Sequence, residues 1–203
     1  MHRIALTFIL VWLCPLSVPA IGLLTYDVGR VLQPQQVQLG ASLSGGHQTW
    51  SGAFAGRLGI RQGLEFDLNL GAVVMDQNIG QETQVGGQIA LLTQAETANF
   101  ADISANFRTA ILYNSALLAL GFDPKILVSR HFQLDRKRSI LVGIGAGAAI
   151  TIFNISGPGD DEHVGVLAML TIGLDMLDGQ GIRIEGSLRD DAMRYGALYS
   201  VQF

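Results

Sequence analysis

The sequence predicts an all-β fold: a transmembrane, antiparallel, up-and-down β-barrel of about ten strands (eight is the alternative) after a cleaved signal peptide. Apolar and polar residues alternate with a period of two along most of the chain, which is typical of strands with one apolar face. Of the 203 residues, 49% are hydrophobic and 15% are charged, whereas soluble domains have about 25% charged residues. The low charge content and a mean hydropathy of +0.35 favour a surface that contacts lipid.

Residues 1–20 are predicted to be a secretory signal peptide. Arg3 precedes an apolar run, and the small residues Val18 and Ala20 occupy the positions expected before a cleavage site. The alternative, a membrane-anchoring helix, is disfavoured because a spanning helix needs about 20 apolar residues. The single cysteine, Cys14, lies in this segment. Cleavage after Ala20 would leave a mature protein without disulfides, thiol catalysis or cysteine-bound metals.

Residues 21–35 contain Pro34 and show no clear period, so they are predicted to be a periplasmic lead-in to a barrel formed by residues 36–203. Alternation predicts the first three strands at residues 36–44, 50–60 and 64–74. The third strand combines alternating apolar residues with Glu65 and Asp67 on the opposite face. Its length, about ten residues, is what a tilted membrane-spanning strand requires.

The middle of the chain is predicted to be a polar loop and two strands, at residues 75–82, 84–91 and 103–111. Residues 93–101, around Ala98, are ambiguous between a turn and a short helix. Residues 116–132 are interpreted as one long or broken strand because Pro124 interrupts them, and a closed sheet has few places for proline. If these two regions are misread, the strand count falls to eight.

Residues 140–155 form a nearly continuous apolar run in which a transmembrane helix competes with a strand. The Gly143 and Gly147 pair has the GxxxG spacing of helix interfaces. However, residue size alternates with a period of two, and the run is short for a span. Glycine also costs about 1 kcal/mol relative to alanine in a helix. These observations favour a strand.

The remaining segments are predicted to be a loop, a strand, a tight turn and a further strand, at residues 154–163, 166–176, 177–181 and 182–189. An even number of strands places both ends of the barrel domain on the same side of the membrane. If that side is the periplasm, the loops near Met75 and Ser156, which are predicted to be the longer ones, lie outside.

The last strand, residues 193–203, has one apolar parity, formed by Met193, Tyr195, Ala197, Tyr199, Val201 and Phe203. In a soluble sheet this pattern would place one face on a core. The strand ends on an aromatic residue, and it resembles the C-terminal recognition strand of bacterial outer-membrane β-barrel proteins. The resemblance implies a bacterial outer-membrane location, contact with outer-membrane lipid, and recognition by the barrel-assembly machinery through Tyr195, Tyr199, Val201 and Phe203.

Charged residues recur on the parity predicted to face the lumen: Arg57, Glu65, Asp67, Arg108, Asp175, Arg183, Glu185, Arg189 and Arg194. One interpretation is a charged pore for ions or small solutes. The other is a network of ion pairs that fills a narrow barrel, which is favoured because barrels of this size are usually filled by their own side chains. Small inward residues such as Gly143 and Gly145 keep a narrow pore as the alternative.

Asp160, Asp161, Glu162 and His163 are predicted to lie in an outer loop. Carboxylates beside a histidine are weak candidates for a divalent-cation site or an acid/base group. Asp161 and His163 also resemble one half of the omptin protease site, but no facing Asp pair is evident. A solvated acidic loop is the favoured interpretation, so no metal, cofactor or enzymatic activity is predicted.

The expected function is therefore a structural or surface-interaction role for a monomeric envelope barrel with a filled lumen. A narrow porin-like pore is the alternative, and an outer-membrane hydrolase or a soluble lipocalin-like carrier comes third. The net charge of -4 gives no basic surface for nucleic acid, and the one basic run is residues 136–138.

Overall fold

The computed structural model is a closed antiparallel barrel of ten strands. It describes residues 23–24, 26, 28–46, 49–75, 78–92, 101–113, 117–155, 160–189 and 192–203. The strands are β1 (Val37–Gly46), β2 (Thr49–Arg61), β3 (Leu64–Met75), β4 (Asn78–Leu92), β5 (Asp102–Tyr113), β6 (Leu117–Gln133), β7 (Arg138–Ile155), β8 (Asp160–Met176), β9 (Gln180–Arg189) and β10 (Ala192–Gln202). Each strand pairs with its neighbours in sequence, and β10 pairs with β1. The predicted fold class is confirmed.

The ten-strand count is correct, and the eight-strand alternative is excluded. The segment around Pro124 is the continuous strand β6, in which Pro124 pairs with Phe107 of β5. On the other side, the pairing with β7 passes from Phe122–Ile150 directly to Lys125–Gly147. The proline therefore lies where the β6–β7 ladder is interrupted, which its missing N–H requires. The predicted signal peptide and the region around Ala98 lie outside the described residues.

Residues 140–155 belong to strand β7, so the strand interpretation is correct and the helix is not. The part of the chain that the structure describes contains no helix long and apolar enough to cross a membrane.

The outer loops differ from the prediction. Residues 75–82 and 154–163 are mostly strand, because β3 ends at Met75, β4 begins at Asn78, and the β7–β8 gap is only 156–159. The polar composition of these stretches predicts loops, but Glu82 in the first stretch lies on the inward face of strand β4.

The barrel has two distinct ends. The terminal end holds the start of β1, the end of β10 and the turns 62–63, 93–101, 134–137 and 177–179; the distal end holds the connections 47–48, 76–77, 114–116, 156–159 and 190–191. The longest connection, 93–101, is at the terminal end. The predicted asymmetry, with longer loops at the end opposite the termini, is therefore wrong, because the strands extend into the predicted loops.

The two tightest turns follow from glycine. Gly63 and Gly179 have φ angles of 74° and 84°, a region that residues with a Cβ rarely adopt. They close the β2–β3 and β8–β9 hairpins at the positions that the sequence predicts.

Polarity is distributed in the barrel in the opposite way to a soluble protein: apolar side chains face outward and charged side chains face inward. Large apolar side chains are exposed on the outer face, including Leu43 (74% exposed) and Phe54 (76%), whereas the lumen contains buried charged residues. Six acids and six bases are buried among the described residues: Glu65, Asp67, Glu82, Asp102, Asp123, Glu185, Arg57, Arg108, Lys125, Arg183, Arg189 and Arg194. Such an arrangement is stable when the outer face meets hydrocarbon and not water.

Candidate functional site

The candidate functional site is the barrel lumen. All nine charged residues that the sequence placed there lie on the inward parity, and eight of them are buried. Asp175 is the exception, because its side chain is 28% exposed near the terminal end. The structure divides most of them into separate ion pairs, not one continuous charged surface.

The first ion pair joins Arg57 and Glu65 at the terminal end of β2 and β3. Arg57 Nε donates to Glu65 Oε1 at 2.6 Å, and Nη2 donates to Oε2 at 2.9 Å. Arg57 Nη1 also donates to the amide oxygen of Gln38 on β1, at 3.0 Å. This two-point geometry fixes both side chains against the wall.

The second ion pair lies in the middle of the lumen and joins Arg108 of β5 to Asp67 of β3. Arg108 Nη2 and Nε donate to Asp67 Oδ1 at 2.6 and 3.0 Å. Both side chains are at most 2% exposed. The pair spans the intervening strand β4, where Gly86 leaves room: a Cβ on this residue would lie 2.9 Å from Asp67 Oδ1.

The third ion pair joins Arg189 of β9 to Asp123 of β6, with a shortest separation of 3.0 Å. Arg189 Nη2 also donates to Thr151 Oγ1 of β7 at 2.9 Å. At the distal end, Arg194 Nη2 donates to Ser51 Oγ at 3.4 Å. Charged groups thus connect strands that are not neighbours in the sheet.

A fourth cluster lies at the terminal mouth. His131 Nε2 is 3.2 Å from Asp175 Oδ2, and Arg183 Nη2 is 3.8 Å from Asp175 Oδ1. These three side chains, with Arg30 and Arg57, help to line a polar cavity of about 190 Å³. On the distal side of this cavity, the buried residues Leu23, Leu24, Tyr26 and Val28 occupy the lumen.

The described residues from Leu23 to Leu32 pass through the lumen, whereas Arg30 and residues 33–35 are exposed at its terminal end. This differs from the predicted periplasmic lead-in at residues 21–35. Leu23, Leu24, Tyr26 and Val28 are each at most 6% exposed. Leu23 packs with Val73 and Leu112 near the distal end. At the terminal end, Gln35 N donates to Gly59 O, and Gly59 N donates to Gln36 O, both at 2.9 Å. We call this stretch, residues 23–36, the lumen segment.

Sequence reasoning missed five inward residues: Glu82, Asp102, Asp123, Lys125 and His131. Glu82 lies in a predicted loop. Pro124 argues against a continuous strand through Asp123 and Lys125. Ser129 faces the lumen, and every second residue before it along β6 shares that face, which includes Lys125 and Asp123 on either side of Pro124. Glu82 and Asp102 would have followed if β4 and β5 had been extended at their ends.

The acidic cluster is not in a loop, which corrects the prediction for Asp160, Asp161, Glu162 and His163. These residues begin strand β8, where they pair with β7 from Asn154 to Thr151. Glu162 and His163 are exposed. No group of three or more His, Cys, Asp or Glu that could hold a metal is present in the described ranges.

The C-terminal strand closes the barrel. Phe203 and Val37 exchange backbone hydrogen bonds of 2.8 and 3.2 Å. Tyr195, Tyr199 and Phe203 are exposed on the outer face, and Val201 is half-buried.

The β6–β7 turn at the terminal end supports a pH prediction. Asp135 accepts hydrogen bonds from the backbone N–H groups of Lys137 and Arg138 and from the Arg138 guanidinium. The backbone N–H of Lys137, followed by the Arg138 side chain, lowers the pKa of Asp135 below its ordinary value. Because the charged form is favoured in the folded turn, its stabilisation is present at neutral pH and is lost as the pH falls through this lowered pKa. NMR titration of the Asp135 carboxyl in micelles should give a midpoint below that of a solvated aspartate, and Arg138→Ala should raise it. An unshifted midpoint would contradict this geometry.

Several solved structures are similar to this chain at low sequence identity. A bacterial polysaccharide outer membrane secretin is 12% identical with a TM-score of 0.45, over 76% of this chain and 57% of that one. The KdgM porin is 7% identical with a TM-score of 0.43, over 82% and 99%. The outer membrane enzyme PagL is 13% identical with a TM-score of 0.41, over 81% and 98%. The chain therefore spans little more than half of the secretin structure. The activities of these proteins do not transfer at this level of similarity.

No protein-family model matches the chain, and no curated protein matches it.

Proposed function

We propose that the chain is an integral β-barrel of the bacterial outer membrane with a closed lumen and a structural or surface-interaction role. The single observation that carries this proposal is the filled lumen: ion pairs on the wall and the lumen segment occupy it together. A permanently open pore would need a continuous aqueous path through the lumen, where Leu23, Leu24, Tyr26 and Val28 are buried. The porin-like alternative therefore receives no support for the resting barrel.

The outer surface supports the membrane location. Trp50 and Tyr113 are exposed near the distal end, and Phe132 and Phe203 are exposed near the terminal end. Aromatic residues at both ends of an apolar band are typical of outer-membrane barrels, where they lie at the two membrane interfaces. The barrel would be a monomer surrounded by outer-membrane lipid. The strand with Tyr195, Tyr199, Val201 and Phe203 would be the signal for the assembly machinery.

A surface role is supported by an arm at the distal end. Strand β8 pairs with β9 only from Leu167 onward, whereas its pairing with β7 continues to Asp160. The β7–β8 hairpin therefore extends past β9, and in the described part of the chain no strand pairs with the β9-side edge of residues 160–162 and 164–166. Val164 and Val166 are more than 60% exposed on this arm. An exposed strand edge with acidic residues is a surface to which an extended partner can add.

We propose no enzymatic activity. The histidine–carboxylate pair of His131 and Asp175 lies in the terminal mouth, which Ser139 also lines. Among the described residues, His131 contacts the carboxylates of Asp175 and Asp102, and no hydrogen bond joins it to Ser139. A nucleophile beside the base would be needed for the hydrolase alternative.

The experiment is a comparison of membrane insertion with conductance. Folded protein in outer-membrane fractions should migrate differently before and after boiling, and the purified barrel should show no steady channel steps in planar bilayers. Recovery of the mature chain as a freely dissolved protein would overturn the membrane assignment. Steady conductance of the unmodified barrel would overturn the closed lumen.

A further inference from the structure

The backbone of the lumen segment is held by carboxylates of the wall. Leu23 N donates to Glu82 Oε1 at 2.8 Å, and Leu32 N donates to Glu65 Oε2 at 2.8 Å. Between them, Tyr26 N donates to Glu185. A buried backbone N–H must find an acceptor, and this segment is not part of the sheet ladder. Three wall carboxylates at three heights of the lumen supply those acceptors.

Wall side chains also donate to the carbonyl groups of the segment. Gln84 Nε2 donates to Leu23 O at 3.0 Å, and Gln88 Nε2 donates to Val28 O at 2.6 Å. Arg183 Nη1 donates to Tyr26 O at 3.3 Å. The described hydrogen bonds between residues 23–32 and the wall therefore each involve a side chain, so this part of the segment can leave without breaking a strand pair of the barrel.

The barrel wall that faces the lumen segment carries charged and polar side chains that water can solvate. A lumen that is permanently sealed gains most from apolar packing, since buried charged pairs often stabilise less than apolar residues of the same volume. Here, the described wall buries equal numbers of acids and bases. Several polar atoms also have no hydrogen-bond partner among the described residues, including Glu82 Oε2, Gln88 Oε1 and both side-chain polar atoms of Asn106. Water would satisfy these groups if the segment withdrew.

We propose that the lumen segment is a displaceable plug and that its withdrawal opens the barrel to small hydrated ions. This inference rests on the proposed closed membrane barrel and adds a second, conducting state. Because the buried acids and bases are equal in number, the open path discriminates only weakly between small cations and anions.

Single-channel recording in planar bilayers tests the plug. A variant that lacks residues 23–33 is expected to show steady steps where the unmodified barrel shows none. Glu82→Ala, which removes the acceptor for Leu23 N, is expected to raise the open probability on the order of tenfold or more, as the loss of a hydrogen bond to a charged group would. The matched control is Glu162→Ala, the same change at an exposed glutamate of β8, and it is expected to leave the barrel closed.

A disulfide lock provides an independent measurement. A Cβ on residue 143 would lie 3.7 Å from Val28 Cγ1, the position that a cysteine sulfur at residue 28 can occupy, so these two positions are the pair chosen for a disulfide. In the Glu82→Ala barrel, adding Val28→Cys and Gly143→Cys is expected to abolish the openings when oxidised, and reduction is expected to restore them.

The outcomes separate the two proposals. Inserted, heat-modifiable barrels that stay silent after deletion or Glu82→Ala would overturn the plug, as would openings that oxidation does not change. If the deletion variant fails to insert into the membrane, the disulfide experiment alone tests the plug. Loss of insertion by the unmodified chain would overturn the membrane barrel itself.

Discussion

Replacing Arg108 with alanine is expected to lower the free energy of unfolding of the barrel by about 3–5 kcal/mol, because the change leaves the Asp67 carboxylate buried and without its cation. The two side chains are at most 2% exposed and approach to 2.6 Å. Gly86 lies against the carboxylate, so no other side chain can fill the gap from β4. Unfolding by urea in lipid vesicles, followed by the fluorescence of the lipid-facing Trp50, measures the change.

The matched control is Arg138→Ala. Arg138 forms an equally short pair with Asp135, at 2.7 Å, but both side chains are more than 40% exposed. Water and salt screen such a pair, so this substitution is expected to leave the unfolding midpoint nearly unchanged. The double variant Arg108→Ala with Asp67→Ala is expected to recover part of the loss, because it leaves no unpaired charge. Equal losses for Arg108→Ala and Arg138→Ala would contradict the role of burial.

Replacing Gly147 with alanine is expected to cost about 1–3 kcal/mol or more, the range for overpacked sites. A Cβ at this position would lie 2.1 Å from the carbonyl oxygen of Pro124 and 2.7 Å from Lys125 Cα. Both are backbone atoms of β6, so they can move only if the β6–β7 pairing opens. The fraction of heat-modifiable, folded barrel after refolding measures the effect, which is expected to fall well below that of the unmodified chain.

Gly186→Ala is the control for this experiment. Gly186 also lies on a strand, but nothing lies within 4 Å of a Cβ built there. Alanine loses less conformational freedom than glycine on folding, so this change is expected to be neutral or slightly stabilising. Similar losses at both positions would show that glycine is needed for a reason other than the close approach of Pro124.

The predictions from sequence succeeded where they depended on local backbone geometry. Glu65 and Asp67 lie on one parity of a clear strand, and the structure places both in the lumen. The same reasoning failed at Asp123 and Lys125, because Pro124 argued against a continuous strand. It also failed at Glu82, where a polar inward face had the composition of a loop.

The pairing of the lumen charges could not be predicted in this way. Arg108 meets Asp67 across β4, and Arg189 meets Asp123 from β9 to β6. These contacts depend on how far each strand is shifted against the next and on how the sheet closes. Alternation along a single strand contains no information about either quantity.

The sequence by itself determined that this protein is a barrel with an apolar exterior and a charged interior, because side-chain alternation follows directly from the geometry of an extended strand. Only the tertiary structure decided that ten strands close the barrel, which charges meet, and that the lumen segment buries Leu23, Tyr26 and Val28 within it. An extended segment outside the ladder has no periodic pattern that separates it from a linker. Its position is set by Glu65, Glu82 and Glu185, which are far from it in sequence and reach it only when the barrel is closed.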